Sequence, residues 1–138
     1  MAKDNLLYSD LTRYIIGAAI EVHKILGVGF LESVYEEALA IEFDLQKIPS
    51  ERQKTIDVFY KNRLAKQFVC DFIVYDKIVI ELKAIRKIPD IEKAQMLNYL
   101  KATGLNLGLI LNFGSGSLEV KRLINTNPRN LRNPWFLF

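Results

Sequence analysis

Three charged residues in a stretch of predicted β-structure could perform hydrolytic chemistry. Asp71 lies in VCDFIVYD, and Glu81 and Lys83 lie in KIVIELKAI, which otherwise has the composition of a buried strand. Residues two apart in a strand share a face, so Glu81 and Lys83 project together while their neighbours form an apolar face. Taken alone, this pair is better explained as a surface salt bridge, which stabilises a fold only slightly.

The position of Asp71 decides between a salt bridge and a metal site. If residues 75–77 form a three-residue connection, Asp71 lies directly opposite Glu81, whereas a two-residue turn would place it opposite Leu82. Two carboxylates that face each other repel unless a cation lies between them. Oxygen ligands of this kind suit Mg²⁺ or Mn²⁺. The three-residue connection therefore predicts a hard-metal site at Asp71 and Glu81, with the Lys83 ammonium beside it.

Two helices are predicted to precede these strands. Apolar residues recur at helical spacing from Leu11 to Leu26 and again from Leu31 to Gln46, with the segment GVG between them. Ser9 or Asp10 is expected to cap the first helix. The residues expected to face the core are Leu11, Tyr14, Ile15, Ala18, Val22, Ile25 and Leu26 in the first helix and Leu31, Val34, Tyr35, Ala38, Ile41 and Leu45 in the second.

After Pro49 the periodicity changes to that of strands. QKTIDVFYK, AKQFVCDFIVYD and KIVIELKAI predict three consecutive antiparallel strands. A helix is predicted from Ile91 to Thr103, with Asp90 as its cap, Gly104 as its stop and an apolar face of Ile91, Ala94, Met96, Leu97 and Leu100. LNLGLILNF predicts a strand covered on both faces, and LEVKRLI a last strand at an edge. The expected fold class is a mixed α+β (α/β) domain in which helices precede a three-stranded antiparallel meander, a helix and a further buried strand.

Composition predicts one domain over residues 1–138, with residues 125–138 as a C-terminal tail. The chain has a formal net charge of +3 and a pI near 9.0, which permits a polyanionic partner without demonstrating one. The single cysteine, Cys70, excludes an internal disulfide and a multi-cysteine zinc site and is expected to be a buried thiol. Neither a signal peptide nor a membrane span is predicted, so a cytoplasmic, soluble protein is expected.

Basic residues flank the predicted strands and could contact phosphates, although most are expected to be solvated surface. They are Arg52, Lys54, Lys61, Arg63, Lys66, Arg86 and Lys87. The tail ends in four large apolar residues, Trp135 to Phe138, which are expected to dock on their own domain. The second alternative is docking on a second copy of the chain, and the third is stacking on bases beside Arg129 and Arg132.

The pattern D-x9-E-x-K on adjacent strands between helices resembles the PD-(D/E)xK nuclease superfamily. GVGFLESVYEEAL and AQMLNYLKATGLNLGLILNFG resemble a small prokaryotic family named for its G-x-x-E-x-x-Y motif, which corresponds here to Gly29, Glu32 and Tyr35. The similarity extends from about residue 14 to residue 124. It implies a restriction-endonuclease-like core and nuclease activity on a substrate that is not established. One departure is that Cys70, and not proline, precedes Asp71.

The resemblance also suggests further site residues. Gln95 and Tyr99 form a Q-x-x-x-Y pattern similar to that of RecB-type exonucleases, where such residues support the site and the nucleic acid; the alternative is a core tyrosine beside an exposed glutamine. His23 corresponds to a first-helix histidine that binds metal in those enzymes, although a lone histidine is more often structural. Glu32 is the preferred additional carboxylate of the site, and Glu36 could take that role in its place. The alternative is that Glu32 only interacts favourably with the helix dipole.

The predicted function is metal-dependent hydrolysis of phosphodiester bonds in nucleic acid. Asp71 and Glu81 would hold Mg²⁺ or Mn²⁺, and Lys83 would orient the attacking water and offset charge on the phosphate. DNA is the first-choice partner, and a homodimer is left open. The alternative is a catalytically inactive nucleic-acid-binding or assembly module that retains the nuclease fold.

Overall fold

A computed structural model describes residues 7–126 of the chain, which form three helices and a five-stranded sheet. The elements are α1 (Ser9–Leu26), α2 (Glu32–Leu45), β1 (Ser50–Tyr60), β2 (Arg63–Val74), β3 (Ile78–Lys83), α3 (Asp90–Thr103), β4 (Leu107–Asn112) and β5 (Glu119–Ile124). The strand order is β1-β2-β3-β4-β5. The predicted mixed fold is confirmed, including β5 at an edge. Residues 127–138 lie outside the described residues, so the docking of Trp135 to Phe138 stays a prediction.

Helices cover both faces of the sheet. β3 and β4 run parallel, so their connection needs a crossover, and α3 is the helix of that crossover. All other neighbouring strands are antiparallel. One core lies between the sheet and the α1/α2 pair, and the second lies between the sheet and α3. Every residue of β4 is buried, as predicted for a strand with both faces covered.

The buried face of α1 differs in part from the predicted one. Ile15, Ala18 and Val22 are buried as predicted, but Tyr14 is 57% exposed and Ile25 is 70% exposed. A stripe of apolar residues is wider than the narrow line along which a helix contacts a sheet, so residues at its borders remain in solvent. The predicted cap is also wrong: Ser9 is the first helical residue, and Tyr8, which precedes it, makes no side-chain capping bond.

The buried ridge of α2 consists of Tyr35, Leu39 and Phe43, which lie at four-residue spacing. Leu31, Ile41 and Leu45 were expected to face the core and are instead exposed. The helix is therefore rotated from the predicted orientation, since two aromatic side chains on one ridge bury more area than the alternative aliphatic face.

The third helix has its predicted end but not its predicted cap. Gly104 ends α3 in the left-handed conformation, with φ 79°, and its N–H donates to the Leu100 carbonyl. Asp90 is the first helical residue and makes no capping bond, because Pro89 takes the cap position. Met96 and Leu100 are buried as predicted, whereas Ile91 is 71% exposed.

The connection between β2 and β3 is the three-residue one. Val74 pairs with Ile78, and the Lys77 N–H donates to the Val74 carbonyl at 3.1 Å. Tyr75 and Asp76 both have φ 58°, in the left-handed region that tight hairpin connections use. This register places position 71 opposite position 81.

None of the helices within residues 7–126 combines the length and the hydropathy needed to cross a bilayer.

Candidate active site

The candidate site lies where β2 and β3 stop pairing. β3 pairs with β4 along all six of its residues, from Ile78 to Lys83, but pairs with β2 only as far as Phe72 and Ile80. A gap therefore opens between β2 and β3 at the carboxyl end of β3. Polar side chains can enter such a gap because the backbone groups on both sides need new partners.

Asp71 and Glu81 occupy this gap. The Asp71 N–H donates to Glu81 Oε2 at 3.0 Å, and the Leu82 N–H donates to Asp71 Oδ2 at 2.7 Å. The two carboxyl groups thus replace the backbone ladder, and each crosses to the opposite strand. The predicted juxtaposition of Asp71 and Glu81 is confirmed by this exchange.

The alternation of side chains along β2 also changes at Asp71. Phe72 and Val74 belong to the core beneath α1 and α2, yet Cys70 packs in the core beneath α3. Gln53, on the neighbouring strand, has φ 50° at this level, which marks a local distortion of β1. The predicted burial of the Cys70 thiol is confirmed, and burial raises its pKa to about 12. Cys70 is therefore a neutral core residue and not a nucleophile.

The environment of the carboxyl pair disfavours two negative charges. Burial raises the pKa of Glu81 to about 8, and the charge of Asp71 adds to the rise. Burial also raises the pKa of Asp71, although the hydrogen bond from the Leu82 N–H opposes the change. Without a cation, the pair retains a proton at neutral pH.

Lys83 extends from the end of β3 towards the start of α3. Its Nζ lies 3.1 Å from Glu92 Oε1, and both side chains are half-buried. Burial by itself would lower the Lys83 pKa, but the hydrogen bond to Glu92 and the charges of Glu92, Glu32 and Glu81 outweigh it, so the pKa is raised. Lys83 is thus an ammonium ion at neutral pH, a point that the sequence left open.

Sequence reasoning missed Glu92. A signal for it exists, because the short link between β3 and α3 brings the first turn of α3 close to the end of β3. An acidic residue in a first helical turn is also stabilised by the helix dipole. Glu92 is therefore suited to hold the Lys83 side chain in place.

The G-x-x-E-x-x-Y motif shapes the loop between α1 and α2. The Tyr35 hydroxyl donates to the Gly27 carbonyl and accepts from the Phe30 N–H, and its ring stacks on Phe113 with centroids 4.8 Å apart. Gly29 has φ 108°, a conformation that strongly favours glycine. The glycine and the tyrosine therefore fix the loop from which Glu32 begins α2.

Glu32 lies within electrostatic range of the site. Glu32 is largely exposed, and partial desolvation raises its pKa; the Lys83 charge opposes the rise, and the Asp71 charge adds to it. Glu36, the alternative acid, accepts hydrogen bonds from Arg52 at 3.0 Å and Gln53 at 2.8 Å, which tie it to β1. Of the two acids, Glu32 is the one that remains without such a tie.

His23 packs against the segment that follows β4. Its Nε2 lies 2.9 Å from the Ser115 carbonyl, and its ring stacks on Phe113. A carbonyl oxygen only accepts, so Nε2 carries the proton and only Nδ1 remains as a ligand atom. Within residues 7–126, no three or more His, Cys, Asp or Glu side chains converge as a ready metal cluster. Metal ligation by His23 and Glu32 therefore stays a prediction.

Gln95 and Tyr99 form a hydrogen-bonded pair on α3. Gln95 Nε2 donates to the Tyr99 hydroxyl at 3.1 Å, and the Tyr99 ring packs on Phe68 with centroids 5.7 Å apart. Tyr99 is only 8% exposed, as in the alternative of a core tyrosine, but Gln95 is half-buried and not exposed as that alternative required. Burial raises its pKa, and the nearby Glu81 charge contributes. A catalytic role for the pair stays a prediction.

Comparison with known families decides the identity of this arrangement. A sequence model described as the PD-(D/E)XK nuclease superfamily matches residues 9–123, which include every helix and strand except Ile124, the last residue of β5. The chain belongs to the PD-(D/E)XK nuclease superfamily. The comparison with curated proteins and the comparison with solved structures each found no match. Membership of the narrower G-x-x-E-x-x-Y group stays a prediction.

A buried asparagine holds the loops around this superfamily core. Asn112 is fully buried, and its Oδ1 accepts from the N–H groups of Ile85 and Gly114 at 3.0 Å, while its Nδ2 donates to Glu119. A Cβ on Gly114 would lie 2.3 Å from the Ile85 nitrogen, so only glycine fits there. The sequence signal was a polar residue and a nearby glycine at the end of an apolar strand. This network fixes the chain immediately after Lys83.

The donor set of the site fits the divalent ion that nucleases of this superfamily generally use. Asp71 and Glu81 supply hard oxygen donors, and burial with mutual repulsion raises the pKa of Glu81 to about 8. A cation between two such carboxylates removes the repulsion.

Proposed function

We propose that this protein is a nuclease that hydrolyses phosphodiester bonds with the help of Mg²⁺ or Mn²⁺. The observation that carries the proposal is the pair of crossed bonds in the strand gap: Glu81 accepts from the Asp71 N–H, and Asp71 accepts from the Leu82 N–H. The Lys83 ammonium acts electrostatically on both carboxyl groups. The two half-buried carboxyl groups satisfy backbone N–H groups, but neutral side chains could do so without the desolvation of an acidic pair, so a purely structural reason for them is weak. DNA is the proposed substrate and the cytoplasm the proposed location.

The residues would divide the work as follows. A divalent ion held by Asp71 and Glu81 would supply Lewis-acid stabilisation of the phosphate and a bound water of lowered pKa. Lys83 is protonated, so it would offset charge that develops on the phosphate oxygens and would not act as a base. Glu92 would keep the ammonium in place through their 3.1 Å contact.

Four further residues have supporting roles in the proposal. Glu32 would add a carboxylate from the first turn of α2, and His23 could contribute through Nδ1 alone. Gln95 and Tyr99 would line the site beside Glu81 through their mutual hydrogen bond. Each of these roles is weaker than those of the central three residues.

A nuclease panel tests the proposal. Single- and double-stranded DNA and RNA are incubated with wild type, Lys83→Gln and Lys93→Gln in Mg²⁺, in Mn²⁺ and in EDTA. Lys93 is a matched control, because it is also a lysine paired with an acid of α3, Asp90, but lies outside the site. Metal-dependent cleavage that is lost in Lys83→Gln and kept in Lys93→Gln is expected. Binding that persists in EDTA, without cleavage in any metal, would select the inactive binding module instead.

A further inference from the structure

We infer that the distal half of the β1–β2 hairpin, residues 58–69, is an arm that binds the phosphate backbone of the nucleic acid beside the active site. This inference rests on the proposed function for the nature of the partner. The name arm is used below for these residues only. Three observations support it: the arm projects from the sheet, its charge has one sign, and its basic face is the face of the site.

The arm extends beyond the rest of the sheet. β2 pairs with β3 only at residues 72–74, so the part of the hairpin before Asp71 has no third strand. Its residues are mostly exposed on both strands. A two-stranded ribbon is only marginally stable in water, so a long projecting one has no evident purpose in the fold itself.

The arm carries three basic residues and no acidic residue, although the whole chain has 19 basic and 16 acidic residues. The nearest acid, Asp57, lies at the base of the arm and accepts a hydrogen bond from Gln67 at 2.8 Å. Within residues 7–126, Lys61, Arg63 and Lys66 make no ion pair, and all three are exposed. Charged side chains, lysine in particular, also protect open strand edges against aggregation, so the charge of the arm alone does not identify a partner. Cations that share the sheet face of the site are what a polyanionic partner requires.

The register places the basic residues on the same sheet face as the site. Ile56 pairs with Phe68, Val58 with Lys66 and Tyr60 with Arg63. Alternate residues of β1 share a face, so Lys66 and Arg63 lie on the face of Ile56, which packs beneath α3. Val79 packs beneath α3 as well, and Lys83, two steps of alternation further, reaches Glu92 of α3. The site and the basic row therefore share one face of the sheet, on either side of Ile56 and Phe68, which α3 covers.

The tip of the arm adds an aromatic group to this row. Tyr60 is 66% exposed, and Lys61 Nζ lies 5.4 Å from the centre of its ring. Tyr60, Lys61, Arg63 and Leu64 line a shallow depression at the tip. Exposed cations beside an aromatic ring can contact phosphates and an unpaired base. From Cys70 to Arg63 the strand spans roughly 23 Å, which corresponds to about seven base pairs of a duplex.

The test compares two triple variants of equal charge change. The arm variant is Lys61→Gln, Arg63→Gln and Lys66→Gln, and the control is Arg13→Gln, Lys24→Gln and Lys101→Gln, which replaces exposed basic residues of α1 and α3. Binding of a labelled DNA duplex of about 30 base pairs, and of a single strand of the same length, is measured in Ca²⁺ across a salt series. Gels confirm that the probe stays intact, and sedimentation gives the mass of each variant.

The arm variant is expected to bind about 10- to 100-fold more weakly than wild type near 0.1 M salt, with a salt slope smaller by about 2 to 3. The control should change the affinity less than about threefold, and the turnover of the arm variant at saturating substrate should be kept. If both triple variants bound the nucleic acid equally weakly, the loss would come from net charge alone, and this would refute the arm as a binding site. A change in mass confined to the arm variant would identify a second copy as the occupant, which also overturns it.

The outcomes separate this inference from the proposed nuclease activity. Wild-type cleavage with no specific effect of the arm variant would refute the arm and leave the nuclease intact. Arm-dependent binding by a protein that cleaves nothing in any metal would refute the nuclease and leave the arm intact. A wild type that binds neither probe would refute the arm.

Discussion

The two neighbours of β3 differ in how far they pair with it. Towards β4 the backbone ladder is complete over six residues, and the side chains around it are almost all apolar and buried. Towards β2 the ladder ends after three pairs, and carboxyl groups of Asp71 and Glu81 bond the backbone instead. The complete pairing of β3 with β4 stabilises the fold. The interrupted pairing of β3 with β2 leaves polar groups that can bind an ion. Substitutions on the two sides should therefore have opposite consequences for stability and activity.

The largest effect is expected from neutral isosteres in the gap. Asp71→Asn and Glu81→Gln keep an oxygen that can accept the backbone N–H, but they lose the charge that holds a cation and the repulsion within the pair. Cleavage should fall at least about 1000-fold, with a melting temperature that is unchanged or raised. Asp57→Asn, an exposed acid of β1, is the control. A marked loss of stability in both variants would show that the carboxyl groups hold the sheet together.

A large loss of stability is expected from a truncation on the complete side. Leu109 is fully buried in β4, opposite Ile80 of β3, so Leu109→Ala removes packing in the core beneath α1 and α2. The free energy of unfolding should fall by about 2 to 5 kcal/mol in urea titrations. Val69→Ala, at a half-exposed position of β2, should cost less than about 0.5 kcal/mol. Similar losses in the two variants would mean that β4 is not the stabilising side.

The pH dependence of stability should report the carboxyl pair. The pKa of Glu81 is raised to about 8, so between its ordinary value and 8 the folded state binds more protons than the unfolded state. Its contribution to stability is therefore complete at low pH and is lost as the pH rises through about 8. Metal-free protein should lose on the order of 4 kcal/mol between pH 5 and pH 9.

Glu81→Gln isolates this effect from the other titrating groups. The variant should show a flatter pH profile than wild type, and Mg²⁺ or Mn²⁺ should flatten the wild-type profile as well. Parallel profiles for wild type and Glu81→Gln would remove Glu81 as the source of the pH dependence.

The smallest effect is expected at the loop that presents Glu32. Tyr35→Phe keeps the ring stacked on Phe113 but removes the hydroxyl that joins Gly27 and Phe30. Stability should fall by about 1 kcal/mol, and cleavage should fall by less than about tenfold. Tyr60→Phe, on the exposed tip of the hairpin, should leave stability unchanged. A cleavage loss as large as that of Glu81→Gln would give the tyrosine a direct part in the reaction.

The central pair could be predicted because it depends on local geometry. Strand periodicity put Glu81 and Lys83 on one face, and only the length of one turn remained to be decided. The helix faces could be predicted only in part, since Ile25 and Ile41 belong to apolar stripes but lie outside the contact with the sheet. Glu92 was missed although its partner is near in the sequence, because the direction in which α3 leaves the short link is not marked by any periodicity. Asn112 was missed because Ile85, which it bonds, is distant in the sequence.

The sequence by itself determined the order of helices and strands, the buried character of β4 and the residue types of the site, because these follow from periodicity, turn residues and composition over short segments. Only the tertiary structure decided that β2 and β3 separate at Asp71, that Lys83 remains charged beside Glu92, and that the basic residues of the hairpin share the face of the site. Each of these depends on strand register and on charges brought together from distant segments. These interactions arise only after the chain has folded.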